Sequence, residues 1–150
     1  MKTMLRCVLV LGLVLPTLVN AAPNYPTKEP MGGEMWGHSV KNISDGLYVF
    51  RWWIYRNIFV VTDDGVIVTD PMNPKAAALL QKEISKITDK PIKYVVYSHN
   101  HHDHISGGTI FKEQGAKFVA HENVLKELRD HPSPIIPLPD ITFKDSYELK

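Results

Sequence analysis

His99, Asn100, His101, His102, Asp103 and His104 gather four of the chain's seven histidines and an aspartate into six residues. Neutral imidazole and carboxylate are donors that suit zinc and iron. His99 and His101, one residue apart, can turn their rings to one point. Asp103 and His104 follow closely enough to serve the same ion or a second beside it. Two ions about 3.5–4 Å apart can share an oxygen that attacks an electrophile, and a water so held loses a proton near neutral pH, giving a nucleophile without serine or cysteine. Histidine tracts also arise incidentally or bind metal adventitiously. That reading fits poorly here, because the run follows directly on an apolar, β-branched stretch and is followed by Gly107 and Gly108.

The run needs rigid elements to hold it. Ile92 to Tyr97 reads as a strand apolar on both faces, as expected when both are covered. Upstream, Leu47 to Phe50 and Trp52 to Tyr55 are sheet-like. Asn57 to Asp70 forms two apolar runs joined by Asp63-Asp64-Gly65, the signature of a hairpin. Pro71 stops that strand. Asn73 caps a helix that begins at Pro74 and runs to Thr88, with Ala76, Leu80, Ile84 and Ile87 on its buried face. Downstream come a short helix over 108–114, a strand over 117–120, a helix over 122–129, a proline-marked loop, and a further strand within 141–149. Strands separated by helices define an α/β architecture. Such sheets carry ligands at the carboxyl ends of their strands, where the histidine run lies. Trp52, Trp53 and Phe59 are expected in the core.

Residues 1–21 have the layout of a secretory signal peptide: Lys2 and Arg6, an apolar run from Cys7 to Val19, and a small residue at the cleavage point. The apolar run is short of the roughly 20 residues that span a bilayer, so no stable membrane anchor is expected. The destination is the periplasm or the exterior. Residues 22–45 are expected as an extended lead-in, with Trp36 to Ser44 ambiguous. Removing Lys2 and Arg6 with the leader takes the formal net charge from +1 to −1. No field of one sign remains, so neither nucleic acid nor an anionic membrane surface is an implied partner. The chain without its leader has no cysteine, hence no disulfide and no thiolate ligand.

Ser98-His99-Asn100-His101-His102-Asp103-His104, followed by Ile105-Ser106-Gly107-Gly108, resembles the His-x-His-x-Asp-His signature of the metallo-β-lactamase superfamily. Val66 to Pro71 resembles that superfamily's first motif, a strand ending in aspartate. The resemblance spans Gly46 to Leu149. It implies that His99 and His101 bind a first metal and that Asp103 and His104 bind a second. It also implies that Asp70 orients a ligand or the nucleophilic water, so that Asp103 and Asp70 are the carboxylates serving the reaction. His102 falls between ligand positions. His121 is expected to be structural, and His38 and His131 to lie on the surface.

The resemblance further implies residues 46–150 as the N-terminal half of a four-layer αβ/βα domain, a mixed sheet flanked by helices. The superfamily's remaining ligands come from a second half, and no histidine follows His131 here. The sequence is therefore expected to be part of a longer protein, with one apolar sheet face uncovered and metal held weakly by this piece alone. The implied activity is hydrolysis of an amide, ester or thioester, β-lactamase-like or glyoxalase-II-like, with two Zn2+ ions per full domain. Iron-dependent, oxygen-using sulfur chemistry is the alternative, since ligand types alone do not separate zinc from iron. A non-catalytic half-domain is the third reading. Oligomeric state is not legible.

Overall fold

A computed structural model describes residues 37–149. The leader 1–21 and most of the lead-in lie outside the described residues. Among the described residues, seven strands form one sheet in the order of the sequence. β1 (His38–Ser44), β2 (Leu47–Trp52), β3 (Tyr55–Val61) and β4 (Val66–Thr69) pair antiparallel with one another, β1 with β2, β2 with β3 and β3 with β4. β5 (Ile92–Val96), β6 (Lys117–His121) and β7 (Ile141–Phe143) continue parallel to β4. Four helices intervene: α1 (Pro74–Ile84), α2 (His102–Ile105), α3 (Thr109–Glu113) and α4 (Glu122–Asp130). The result is a mixed α/β sheet with helices on the parallel crossovers.

The lead-in expected over 22–45 is corrected from His38 on. That stretch is β1, paired with β2 from His38 opposite Trp52 to Ser44 opposite Leu47. Its sequence gives little signal because nearly every residue in it is exposed.

Alternation along the strands sends Phe50, Phe59, Val68, Val95 and Phe118 to one face, all fully buried. They share a core with Ala76, Ala77, Leu80 and Ile84 of α1 and Phe111 of α3. On the other face Val49, Val60 and Ile67 are half-buried and Ile58 is exposed.

α1 starts as expected. The Asn73 side chain accepts from the Lys75 and Ala76 N–H groups at 3.1 and 3.0 Å, and Pro74 needs no partner there. It ends four residues earlier than expected, at Ile84, and Ile87 is exposed in the turns that follow. The final strand is likewise shorter, Ile141–Phe143.

Trp53 is not in the core. Trp52 pairs with Tyr55 across a two-residue turn, which puts Trp53 at φ 55 with its ring turned outward and stacked flat on Trp52 at 4.9 Å. Phe59 is buried as expected, and Trp52 is half-buried.

Candidate metal centre

The carboxyl ends of β4 and β5 build the site. β4 delivers Asp70 and β5 delivers Ser98 and His99. Two loops lock together beneath them. The Met72 N–H donates to His104 O at 2.6 Å, and the Gly107 N–H donates to Met72 O at 2.9 Å. Met72 and Ile105 pair as an isolated bridge. The chain passes so closely that a Cβ on Gly107 would lie 2.5 Å from Pro71 O and 2.6 Å from Asn73 O. Glycine is therefore required at 107 by space rather than by backbone angle. Asp70 and Met72 hold positive φ values of 34 and 59 at this crossing. Asn57 steadies it from β3, its amide donating to Thr69 O and Asp70 O at 2.8 and 3.0 Å.

Asp70 is buried and binds Ser98 twice. One carboxylate oxygen accepts the Ser98 N–H at 2.8 Å, the other the Ser98 hydroxyl at 2.5 Å. The Ser98 oxygen lies 2.8 Å from His99 Nδ1. A carboxylate only accepts, so the serine proton points to Asp70 and the serine oxygen must accept from His99. That places the proton of His99 on Nδ1 and leaves Nε2 as a free ligand atom.

Ligand atoms of Asp70, His99 and His104 lie within 4.8 Å of one another. The His99 ring is 4.4 Å from that of His104 and 4.7 Å from that of His101, centroid to centroid. Asp103 Oδ2 is 3.7 Å from His104 Nε2. All five expected residues thus meet at one corner of the sheet. His101 and Asp103 occupy its exposed rim, and Asp70 comes within ligand distance of the histidines. With both oxygens engaged by Ser98, Asp70 is placed to orient the site. The histidine run itself includes α2, a single turn whose start carries Asp103. Burial pushes the Asp103 carboxyl up, but its own N–H, the Tyr55 hydroxyl and the nearby His104 and His101 outweigh that and hold it below the usual carboxylate range. The donor set, imidazoles and carboxylates without thiolate, fits a divalent cation.

Sequence reasoning missed two residues. Ser98 is the link between Asp70 and His99, and its place directly before the first histidine was the available signal. Tyr55, from the start of β3, sets its ring edge-on to that of His104, 5.5 Å between centroids, with no local motif to announce it. His121 is no ligand: Nδ1 accepts the Asn123 N–H at 3.1 Å, which leaves Nε2 to donate to Lys144 O at 2.6 Å. His38 reaches Glu83 at 3.1 Å, on the side chains of β1 and α1, and His102 and His131 are exposed.

Residues 51–143 match the profile of the metallo-beta-lactamase superfamily, and the chain belongs to that superfamily. A curated relative, 2,4-dinitroanisole O-demethylase subunit alpha from Nocardioides sp. (strain JS1661), is 30% identical over 98 residues, 64% of this chain and 26% of its own length. The fold also matches the metallo-beta-lactamase GOB-18 from Elizabethkingia meningoseptica, with TM-score 0.67 and 24% identity over 82% of this chain and 52% of that one. MIM-1 from Novosphingobium pentaromativorans aligns with TM-score 0.65 and 22% identity over 77% and 48% of the two chains. FIM-1 from Pseudomonas aeruginosa, solved in a mono-zinc form, gives TM-score 0.58 and 17% identity over 71% and 50%. The chain spans about a quarter of the length of the curated relative and about half of each solved structure.

Proposed function

We propose that this chain carries the nucleophile-generating part of a metal-dependent hydrolase acting on a small molecule with an amide, ester or thioester bond. The observation that carries this reading is the convergence of His99, His104 and Asp70 within 4.8 Å, with His101 and Asp103 beside them, in a superfamily member. Zinc is the proposed ion, supported by the donor set and by its presence in FIM-1. A divalent ion held there supplies Lewis acidity and a nucleophile at neutral pH. The chain's own residues prepare for it. Asp70 and Ser98 set the His99 tautomer and keep its ring from turning, and Asp103 and His104 present a second pair of donors from α2.

Two cavities flank the histidine turn. One of about 410 Å³ is lined by Asn100, His101, His102, Asp103, Glu127, Leu128 and His131. The other, about 1100 Å³, runs from His99 along the half-buried sheet face. Their sizes suit a small-molecule substrate. The relatives are named as an O-demethylase subunit and as metallo-beta-lactamases, so the proposal commits to the metal centre and not to any one of their substrates. Export through the leader 1–21 completes the proposal, with the periplasm as its site of action.

The test is metal content and hydrolysis in the full-length protein purified without added ions. Two equivalents of zinc and turnover of a β-lactam or thioester, both lost in His101→Ala, are expected. Iron in the preparation together with oxygen uptake on a persulfide would replace hydrolysis by the oxidative alternative.

A further inference from the structure

We infer that Asn57 is a positioning residue that holds Asp70 in the turned conformation from which its carboxylate orders Ser98 and His99, an inference that rests on the metal-centred reading above. The backbone pairing of β3 with β4 ends at Phe59 opposite Val68. Carried two residues further, that register sets Ile58 opposite Thr69 and Asn57 opposite Asp70. Side chains take over there. The Thr69 hydroxyl accepts the Ile58 N–H and donates to Ile58 O, each at 3.1 Å. The Asn57 amide donates to Thr69 O at 2.8 Å and to Asp70 O at 3.0 Å. β4 thus leaves the ladder where the site begins, and Asn57 holds the point of departure.

That departure needs a clamp. Asp70 has φ 34, in the left-handed region that a residue with a Cβ enters only at a cost. Its N–H donates to Val96 O of β5 at 3.0 Å, which fixes the peptide group before it. Asn57 fixes the peptide group after it by holding the Asp70 carbonyl. Between these two anchors the carboxylate meets the Ser98 N–H and hydroxyl, and the Ser98 oxygen meets His99 Nδ1. With its carbonyl released, Asp70 can relax toward an extended backbone and swing its carboxylate off Ser98. The orientation of the amide follows from its partners: two carbonyls only accept, so the NH2 group faces them. Asn57 Oδ1 is then buried with no donor among the described residues, an arrangement that costs stability. An amide buried with its oxygen idle is a poor device for holding a fold together, and its two N–H bonds serve the placement of Asp70.

The experiment compares wild type, Asn57→Ala, Asn57→Leu and Asn73→Ala as full-length, metal-stripped proteins. Asn73→Ala removes a helix cap away from the site and is the control for a general loss of stability. Long-range proton–nitrogen NMR at about pH 8.5, above the usual imidazole range, reports which His99 nitrogen carries the proton. Titration with Co2+ alone reports affinity, and urea unfolding of the metal-free forms reports the fold. Wild type is expected to show the His99 proton on Nδ1. Both Asn57 variants should show it shared between the two nitrogens and should bind cobalt about tenfold more weakly, the scale of losing a partner behind a ligand. Asn73→Ala should match wild type in both readings. Should Asn57→Ala fail to fold, Asn57→Leu, which fills the same space without donors, carries the same reading. A wild-type His99 tautomer in the Asn57 variants overturns the inference while leaving the metal centre standing. So does a loss of affinity that Asn73→Ala reproduces, which marks a purely structural asparagine. A wild type that takes up no cobalt removes the metal-centred reading, and the His99 tautomer then decides the positioning role by itself.

Discussion

Ser98 and Asp70 grip each other through two hydrogen bonds, backbone N–H to one carboxylate oxygen at 2.8 Å and hydroxyl to the other at 2.5 Å. The first bond fixes where β5 ends. The second fixes which nitrogen of His99 carries a proton. One carboxylate 28 residues upstream thereby controls both the position and the chemistry of the first histidine.

Ser98→Ala keeps the first bond and removes the second. The His99 ring is then free to change tautomer and to rotate, and metal affinity should fall by about tenfold with little change in fold stability. Asp70→Asn should do more. An amide nitrogen facing the serine oxygen would donate to it, the serine proton would turn to His99 Nδ1, and the ring proton would move to Nε2, the atom meant to bind. Competition with a chromophoric chelator measures both, and equal affinity in all three proteins would remove the relay from the account.

Gly107→Ala places a methyl group against two backbone oxygens at 2.5 and 2.6 Å, neither of which can rotate away. The crossing loops must separate. The expected loss is about 2 kcal/mol or more of stability, within the overpacking range. Because the same crossing carries His104, metal uptake should weaken in step. Urea unfolding of the metal-free protein and a metal titration give the two readings.

Asn73→Ala removes the cap of α1 and nothing else of the site. The Lys75 and Ala76 N–H groups lose their acceptor. A loss of about 1 kcal/mol is expected from urea unfolding, with metal affinity retained. A matching loss of metal affinity would show that the helix start and the site move as one unit.

Asp140 predicts a pH dependence away from the site. Burial pushes its carboxyl up, but the Lys112 ammonium at 2.6 Å and the Phe118 N–H at 2.8 Å more than reverse this, so it titrates below the usual carboxylate range. A carboxyl lowered in the folded state contributes stability above its unfolded value, near pH 4, and that contribution fades as pH falls through the folded value. Asp140→Asn should be less stable than wild type above about pH 5, and the gap should close toward about pH 3. Lys112 is 41% exposed, so solvent screening limits the gap to about 1 kcal/mol. Urea midpoints across that range test it.

The sequence made the candidate metal donors legible because they crowd into six residues, and the elements around them because their periodicity is local. Asn73 and Pro74 announced α1, and Asp63-Asp64-Gly65 announced the β3–β4 hairpin. What stayed hidden depends on pairs far apart in the chain. Ser98 gains its role only from Asp70, 28 residues before it, and Tyr55 only from His104, 49 residues after it. β1 was ambiguous because its residues face solvent on both sides and carry no alternation to read. Trp53 looks like core by type, yet it sits in a two-residue turn that points it outward.

The consecutive strand order β4-β5-β6-β7 has a practical corollary for handling the protein. Every parallel strand delivers its chain to the same rim as His99, so the turns that enter these strands lie at the opposite end, roughly 15 Å away for strands of this length. Gln114 is exposed there, and beside it even a side chain added at Gly115 would meet nothing within 4 Å. A dye or a surface tether attached at 114 would leave the histidine corner untouched, making that turn the natural handle for immobilising or labelling the molecule.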